Sequence, residues 1–259
     1  MHQHTRQAVK EHRTICRNHV TIRLLGGFEV SVDGAAIPDR RWSRRTAASL
    51  VKLLALAPGH RLHREQVIDI LWPDDSPADA APRLHKAAHY ARKATGCRDA
   101  IVLRNDVVQL FPTAHVAVDV GTFEELAGRA IADHDRLAAR AAADHYGGEL
   151  LPDDRYEDWA AERRELLRLR HLNVLRLAGD WLAVTEADRG DEDAHVELIR
   201  DHVATGDTVV ALAHYRRRGR GRGRVRGAGS VPVRRRCHRW RRGRGSARRG
   251  PVRRRGPPR

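Results

Sequence analysis

A chain of 259 residues can bury two cores of ordinary domain size, and 41% hydrophobic with 5% aromatic residues favours helices packed through Leu, Ala and Val over an aromatic sandwich. No apolar run reaches the roughly 18 residues of a membrane helix, and the opening MHQHTRQAVKEHRT lacks the apolar segment of a secretion signal, so a cytoplasmic protein without membrane contact is expected. The net charge of +16 is unevenly placed: residues 20–111 hold 14 Lys and Arg against 10 Asp and Glu, residues 112–215 hold 11 Arg against 22 acids, and residues 216–259 hold 20 Arg and no acid.

Residues 1–19 read as a flexible extension. From 21 to 37, TIRLLGGFEVSVDGAAI alternates apolar and polar positions around Gly26-Gly27 and Asp33-Gly34, the pattern of a small antiparallel sheet. In SRRTAASLVKLLALAPGH, Ser43 is a candidate cap, Ala47, Leu50, Val51, Leu54 and Ala57 keep helical spacing, and Pro58-Gly59 stops the helix. A shorter helix follows in HREQVIDILW, ended by Pro73. A third is expected from about Asp79, as N-cap, to Thr95, with Pro82 in its first turn. Its Leu84, Ala87, Ala88 and Ala91 make an apolar stripe, while Arg83, Lys86, Tyr90 and Lys93 recur at i, i+3, i+7 and i+10 on another side. IVLRNDVVQLF, residues 101–111, then reads as a β-hairpin about the turn dipeptide Asn105-Asp106.

Sheet, three helices and hairpin is the order of a winged helix-turn-helix, whose third helix fits the major groove. The stretches LLGGFEVSVDGAAI and WSRRTAASLVKLLALAPGHRLHREQVIDILWPDDSPADAAPRLHKAAHYARKATG resemble the DNA-binding region of the Streptomyces antibiotic regulatory proteins, which is similar to the output domain of response regulators. In place of that family's Ser-Arg-Leu-Arg-Arg-like helix end, this chain reads His89, Tyr90, Ala91, Arg92, Lys93. The DNA-facing residues expected here are Arg83, Lys86, His89, Tyr90 and Lys93, with Arg64 holding phosphate at the start of the second helix and Arg104 and Asn105 in the wing.

From Asp119 the chain reads as helices at 119–135, 136–153, 155–187, 191–207 and 209–217, with short polar links. Helical pairs of this length stack in the manner of tetratricopeptide repeats. YGGELLPDDRYEDWAAERRELL and EDAHVELIRDHVATGDTVVALAHY resemble the bacterial transcriptional activator domain that follows the DNA-binding unit in the same family. Trp159 and Trp181, at helical spacing with Leu166, Leu169, Leu172 and Leu175, are expected in the core. The resemblance implies binding to direct repeats as a homo-oligomer, and contact with RNA polymerase through residues 73–78 or the helical domain.

The expected architecture is therefore mainly α with a small β component: a winged helix-turn-helix at 20–115, a tetratricopeptide-like domain at 116–215, and a disordered Arg/Gly-rich tail at 216–259, which lacks Leu and Ile to order it. The tail is a selected basic arm or the product of a shifted reading frame in a GC-rich gene, since composition changes abruptly at ALAHYRR. No phosphate loop, HExxH or cysteine cluster occurs, so neither an enzyme nor a metal or other cofactor is expected. Cys16, Cys97 and Cys237 are expected as reduced thiols. The function expected is a sequence-specific duplex-DNA-binding transcription regulator, an activator. Its rivals are a helical-repeat interaction module with a vestigial winged helix, and a nonspecific nucleic-acid binder acting through the tail.

Overall fold

Alternating burial along β1 (His19–Arg23), with Val20 and Ile22 inward and His19, Thr21 and Arg23 outward, gives it one core face. The computed structural model describes the backbone of residues 19–222 and the side chains of residues 19–215. β1 pairs antiparallel with β2 (Glu29–Val32), which pairs with β3 (Ala35–Ala36) around Asp33 and Gly34, both at positive φ (49° and 81°). On its other side β1 takes up β7 (His115–Val118) in parallel, from His19↔His115 to Ile22↔Val118. Strand β7 was not expected, and it makes the order of this sheet β3-β2-β1-β7.

The next segment holds α1 (Arg45–Leu56), α2 (Arg64–Leu71) and α3 (Pro77–Thr95). Two expected caps are corrected. The N-cap of α1 is Arg44 with no side-chain bond, because the helix starts two residues beyond Ser43. The N-cap of α3 is Ser76, whose Oγ accepts from Asp79 N at 3.2 Å, leaving Asp79 inside the first turn and Pro82 beyond it. Pro77 suits the first helical position because no N–H is needed there. Helix α2 begins with a capping box: Gln66 Oε1 accepts from His63 N at 3.0 Å and the His63 ring accepts from Glu65 N. Ahead of it β4 (Arg61–His63) joins the expected hairpin of β5 (Ile101–Arg104) and β6 (Val107–Leu110), in the order β4-β6-β5. The hairpin turn has Asn105 and Asp106 at φ 51° and 58°, the pair of left-handed residues a two-residue turn requires.

The helical array comprises α4 (Asp119–Asp133), α5 (Arg136–Asp144), α6 (Asp158–Ala178), α7 (Trp181–Ala187), α8 (Glu192–Ala204) and α9 (Thr208–Arg222). The expected helix at 155–187 is two helices: Gly179 at φ 74° ends α6, and the Asp180 carboxylate caps α7 by accepting from Ala183 N at 3.0 Å. Helix α5 stops at Asp144, short of the expected 153. Leu172 and Leu175 are buried, but Leu166 and Leu169 are 53% and 44% exposed, and Trp159 and Trp181 are half-buried against the core. Helix α9 runs to Arg222, so the first residues of the expected tail are helical; the rest of the tail and the N-terminal extension lie outside the described residues. Cys97 is buried and disulfide-bonded, which corrects the expectation of a reduced thiol; Cys16 and Cys237 lie outside the described residues.

One core runs across position 115. Ile22 of β1 and Leu24 just after it, Leu50 and Leu54 of α1, Val120 and Phe123 of α4, and Leu167 of α6 belong to a single buried cluster. Two polar joints reinforce it. The Asp119 carboxylate accepts from the backbone N–H of Leu24 and Leu25 at 2.8–2.9 Å and of Val120 at 2.8 Å. Burial holds its carboxyl above the usual range, outweighing the opposite pull of these donors. Lys52 Nζ on α1 lies 2.5 Å from Asp154 Oδ2, both buried, and Arg45 Nη2 lies 2.9 Å from Glu157 Oε1.

Candidate nucleic-acid interface

Helix α3 carries its two faces by period alone. At 100° per residue, Ala80, Leu84, Ala87, Ala88, Ala91 and Ala94 fall within about 120° of arc, and all are buried. Residues 83, 86, 89, 90 and 93 fall within about 120° on the other side. Of these, Arg83, Lys86, His89 and Lys93 are exposed and Tyr90 is half-buried.

These residues are engaged differently. Lys86 and Lys93 make no ion pair among the described residues, so their ammonium groups are solvated and available. Arg83 Nη1 lies 2.7 Å from Asp75 Oδ2 in the loop before α3, an ion contact without hydrogen-bond alignment. A phosphate must therefore compete with a carboxylate for Arg83. Tyr90 has two ring contacts: its ring meets His89 edge-on, with centroids 5.4 Å apart, and Arg44 places its guanidinium carbon 5.4 Å from the same ring's centroid. Arg41 Nη2 reaches the Lys93 carbonyl at 3.5 Å. The sequence reading missed Arg41 and Arg44; the signal was the run RRWSRR before α1.

The wing residues Arg104 and Asn105 are exposed at the β5–β6 turn. Arg64 opens α2, and its backbone N–H donates to the Asp106 carbonyl at 2.7 Å, which fixes the start of α2 to the wing turn. Arg64, Arg104 and Asn105 thus share one corner of the fold, while Arg83 is drawn to the α2–α3 loop. His85 and His89 are both exposed on α3. No group of three or more potential metal ligands occurs among the described residues, and no helix there is long and apolar enough to cross a membrane.

The chain matches no protein-family model and no curated protein. Among solved structures it is similar to Mycobacterium tuberculosis EmbR in complex with a low-affinity phosphopeptide, at a TM-score of 0.59 and 19% identity over 82% of this chain. It spans 62% of the length of that structure. At this identity the likeness concerns the fold: a winged helix-turn-helix followed by a helical array.

Proposed function

We propose that this protein is a sequence-specific duplex-DNA-binding transcription regulator of the antibiotic-regulatory type, with residues 20–115 as its reading unit and α3 in the major groove. The observation that carries the reading is the solvated row of Lys86 and Lys93 beside Tyr90, on the face of α3 opposite its buried stripe. An α-helix fits the major groove, and cations on its outer face meet phosphates and base edges there. Arg64, Arg104 and Asn105 form a second contact on the backbone beside the groove. The resemblance read in the sequence adds activation through RNA polymerase, met by residues 73–78 or the helical array at 116–215, and binding of direct repeats by a homo-oligomer in the cytoplasm.

Lys86→Ala tests the face. It should weaken cognate binding by about 1–3 kcal/mol, roughly fivefold to 150-fold, without changing thermal stability. Unchanged affinity in the folded variant rejects this face. The 20 Arg of residues 216–259 favour a second reading, a nonspecific polyanion binder. Mobility shifts on cognate and random duplex across a salt series separate the two, because binding by the tail alone would give equal affinities and a common steep salt slope.

A further inference from the structure

The helical array holds a cleft that DNA binding does not use. It lies between residues 146–149, after α5, and α6, with a volume of about 570 Å³, in the range of small-molecule sites. Its wall is aromatic: Tyr146 stacks on His171 with centroids 3.9 Å apart and planes 14° from parallel, and Phe123 packs against both. Burial pushes the His171 imidazole down to about 4, and its buried Nδ1 has no hydrogen-bond partner, so near neutral pH the ring is an uncharged surface.

The charged groups of the cleft are already paired. Arg168 grips both oxygens of Glu165 through Nε and Nη2, each at 2.9 Å, and Arg164 Nε lies 3.7 Å from Glu149 Oε1. Two guanidinium groups and two carboxylates cancel, so a charged ligand gains no net attraction and would have to part an existing pair. An uncharged ring molecule does neither. It covers the Tyr146 and His171 wall, and hydroxyl or carbonyl groups on it can bond the backbone of Gly147 and Gly148.

Arg164 also leads out of the cleft. Its Nε donates to the Leu150 carbonyl at 3.0 Å and its Nη2 to the Asp154 carbonyl at 3.1 Å. The Asp154 carboxylate holds Lys52 of α1, and Glu157 holds Arg45 at the first turn of α1. One residue earlier, Arg44 lies over Tyr90 of α3. Arg164 is thus bonded to the segment that clamps α1.

We propose that this cleft binds a small uncharged aromatic molecule and that Arg164 passes its occupancy through residues 150–157 to α1. Neither part requires the DNA reading; only an effect on duplex affinity would rest on it.

The test uses the full chain and the neutral fluorophore N-phenyl-1-naphthylamine, which an Arg-rich tail does not attract by charge. A saturable rise in fluorescence at one probe per chain is expected. Ala161→Trp, at an exposed position of α6 lining the cleft, should weaken binding at least about tenfold with unchanged circular dichroism. No saturation, or equal binding by the folded Ala161→Trp variant, overturns the site. Hydrogen exchange with saturating probe should slow at 150–157 and in the first turns of α1, and Arg164→Lys, which keeps the charge and loses the fork, should abolish the α1 response while the probe still binds. Protection confined to the cleft, or an α1 response that persists in Arg164→Lys, overturns the relay. Neither readout involves DNA, so loss of duplex binding in a parallel mobility shift counts against the proposed function alone.

Discussion

Lys52 is a buried cation on an otherwise apolar helix face, and its removal gives a sharp test of how the two halves of the molecule are joined. Its side chain is 10% exposed and that of Asp154 is 7%, so both charges have left water. Lys52→Met keeps the length of the stem and deletes the ammonium, leaving the Asp154 carboxylate with Arg45 alone, 3.8 Å away on a side chain that is 70% exposed. Stranding one member of a buried pair costs about 3–5 kcal/mol, and an approach by Arg45 recovers about 1, so a loss of about 2–4 kcal/mol is expected. In a domain of this size that lowers Tm by about 5–15 °C. Asp154→Leu strands Lys52 over the Phe28 ring, 4.6 Å from Nζ, and should cost a similar amount. The double variant, which removes both charges, should lose less than about 1 kcal/mol, because a buried pair and a hydrophobic replacement nearly break even. Urea unfolding of the four proteins, followed by circular dichroism and by tryptophan fluorescence, measures the cycle. Single losses below about 0.5 kcal/mol, or a double loss equal to the sum of the singles, would refute the reasoning.

His171 predicts a pH dependence. With its pKa lowered from 6.5 to about 4, the folded state binds fewer protons than the unfolded one between those values, so stability is full above pH 6.5 and falls as pH drops towards 4. The shift sets a ceiling of about 3 kcal/mol, discounted to about 1–2 for solvent reach, and His171→Phe, which keeps the stack on Tyr146, should flatten urea midpoints across that window; an unchanged slope would exclude His171 as the cause. Gly96 closes α3 at φ 78°, and a Cβ there would meet the Arg41 guanidinium at an ordinary 3.7 Å, so Gly96→Ala should cost about 1 kcal/mol from backbone strain alone; thermal unfolding reads it, and no change would refute it. A fragment ending at residue 115 lacks most of β7 and all of Asp119, leaving the Leu24 and Leu25 N–H groups without their acceptor. It should unfold at markedly lower urea than a fragment of residues 19–215, and equal midpoints would show that the join contributes nothing.

The parts of the fold written in local patterns were legible. The buried stripe of α3 follows from Leu84, Ala87, Ala88 and Ala91, and the wing turn follows from Asn105-Asp106 because few other residues tolerate two successive positive φ values. Strand β7 was not legible: HVAV is short, and its partner β1 lies almost a hundred residues earlier in a parallel pairing that no local alternation encodes. The break between α6 and α7 was written as Gly179-Asp180, a C-cap followed by an N-cap, but the apolar spacing continues through it and masks the stop. In the candidate interface, spacing placed Lys86 and Lys93 outward. The hold of Asp75 on Arg83 and the seat of Arg44 on Tyr90 join different elements, and spacing within α3 carries no trace of them.

Charge explains why the expected boundary at 115 is a seam and not a gap. Residues 20–111 carry a net +4 and residues 112–215 a net −11, so the two segments attract before any contact forms. Part of that attraction is localised in the pairs Lys52–Asp154 and Arg45–Glu157. Arg44 and Arg45 show how finely the division is drawn. Arg44, the extended N-cap residue, reaches Tyr90 on the outward side of α3, while Arg45, the first residue inside the helix, pairs with Glu157 at the acidic start of α6. A composition count assigns both to the same basic run. Their geometry sets Arg44 beside Tyr90, on the face proposed to meet DNA, and Arg45 at the junction, so under that proposal substituting Arg44 should act on duplex affinity and substituting Arg45 on stability.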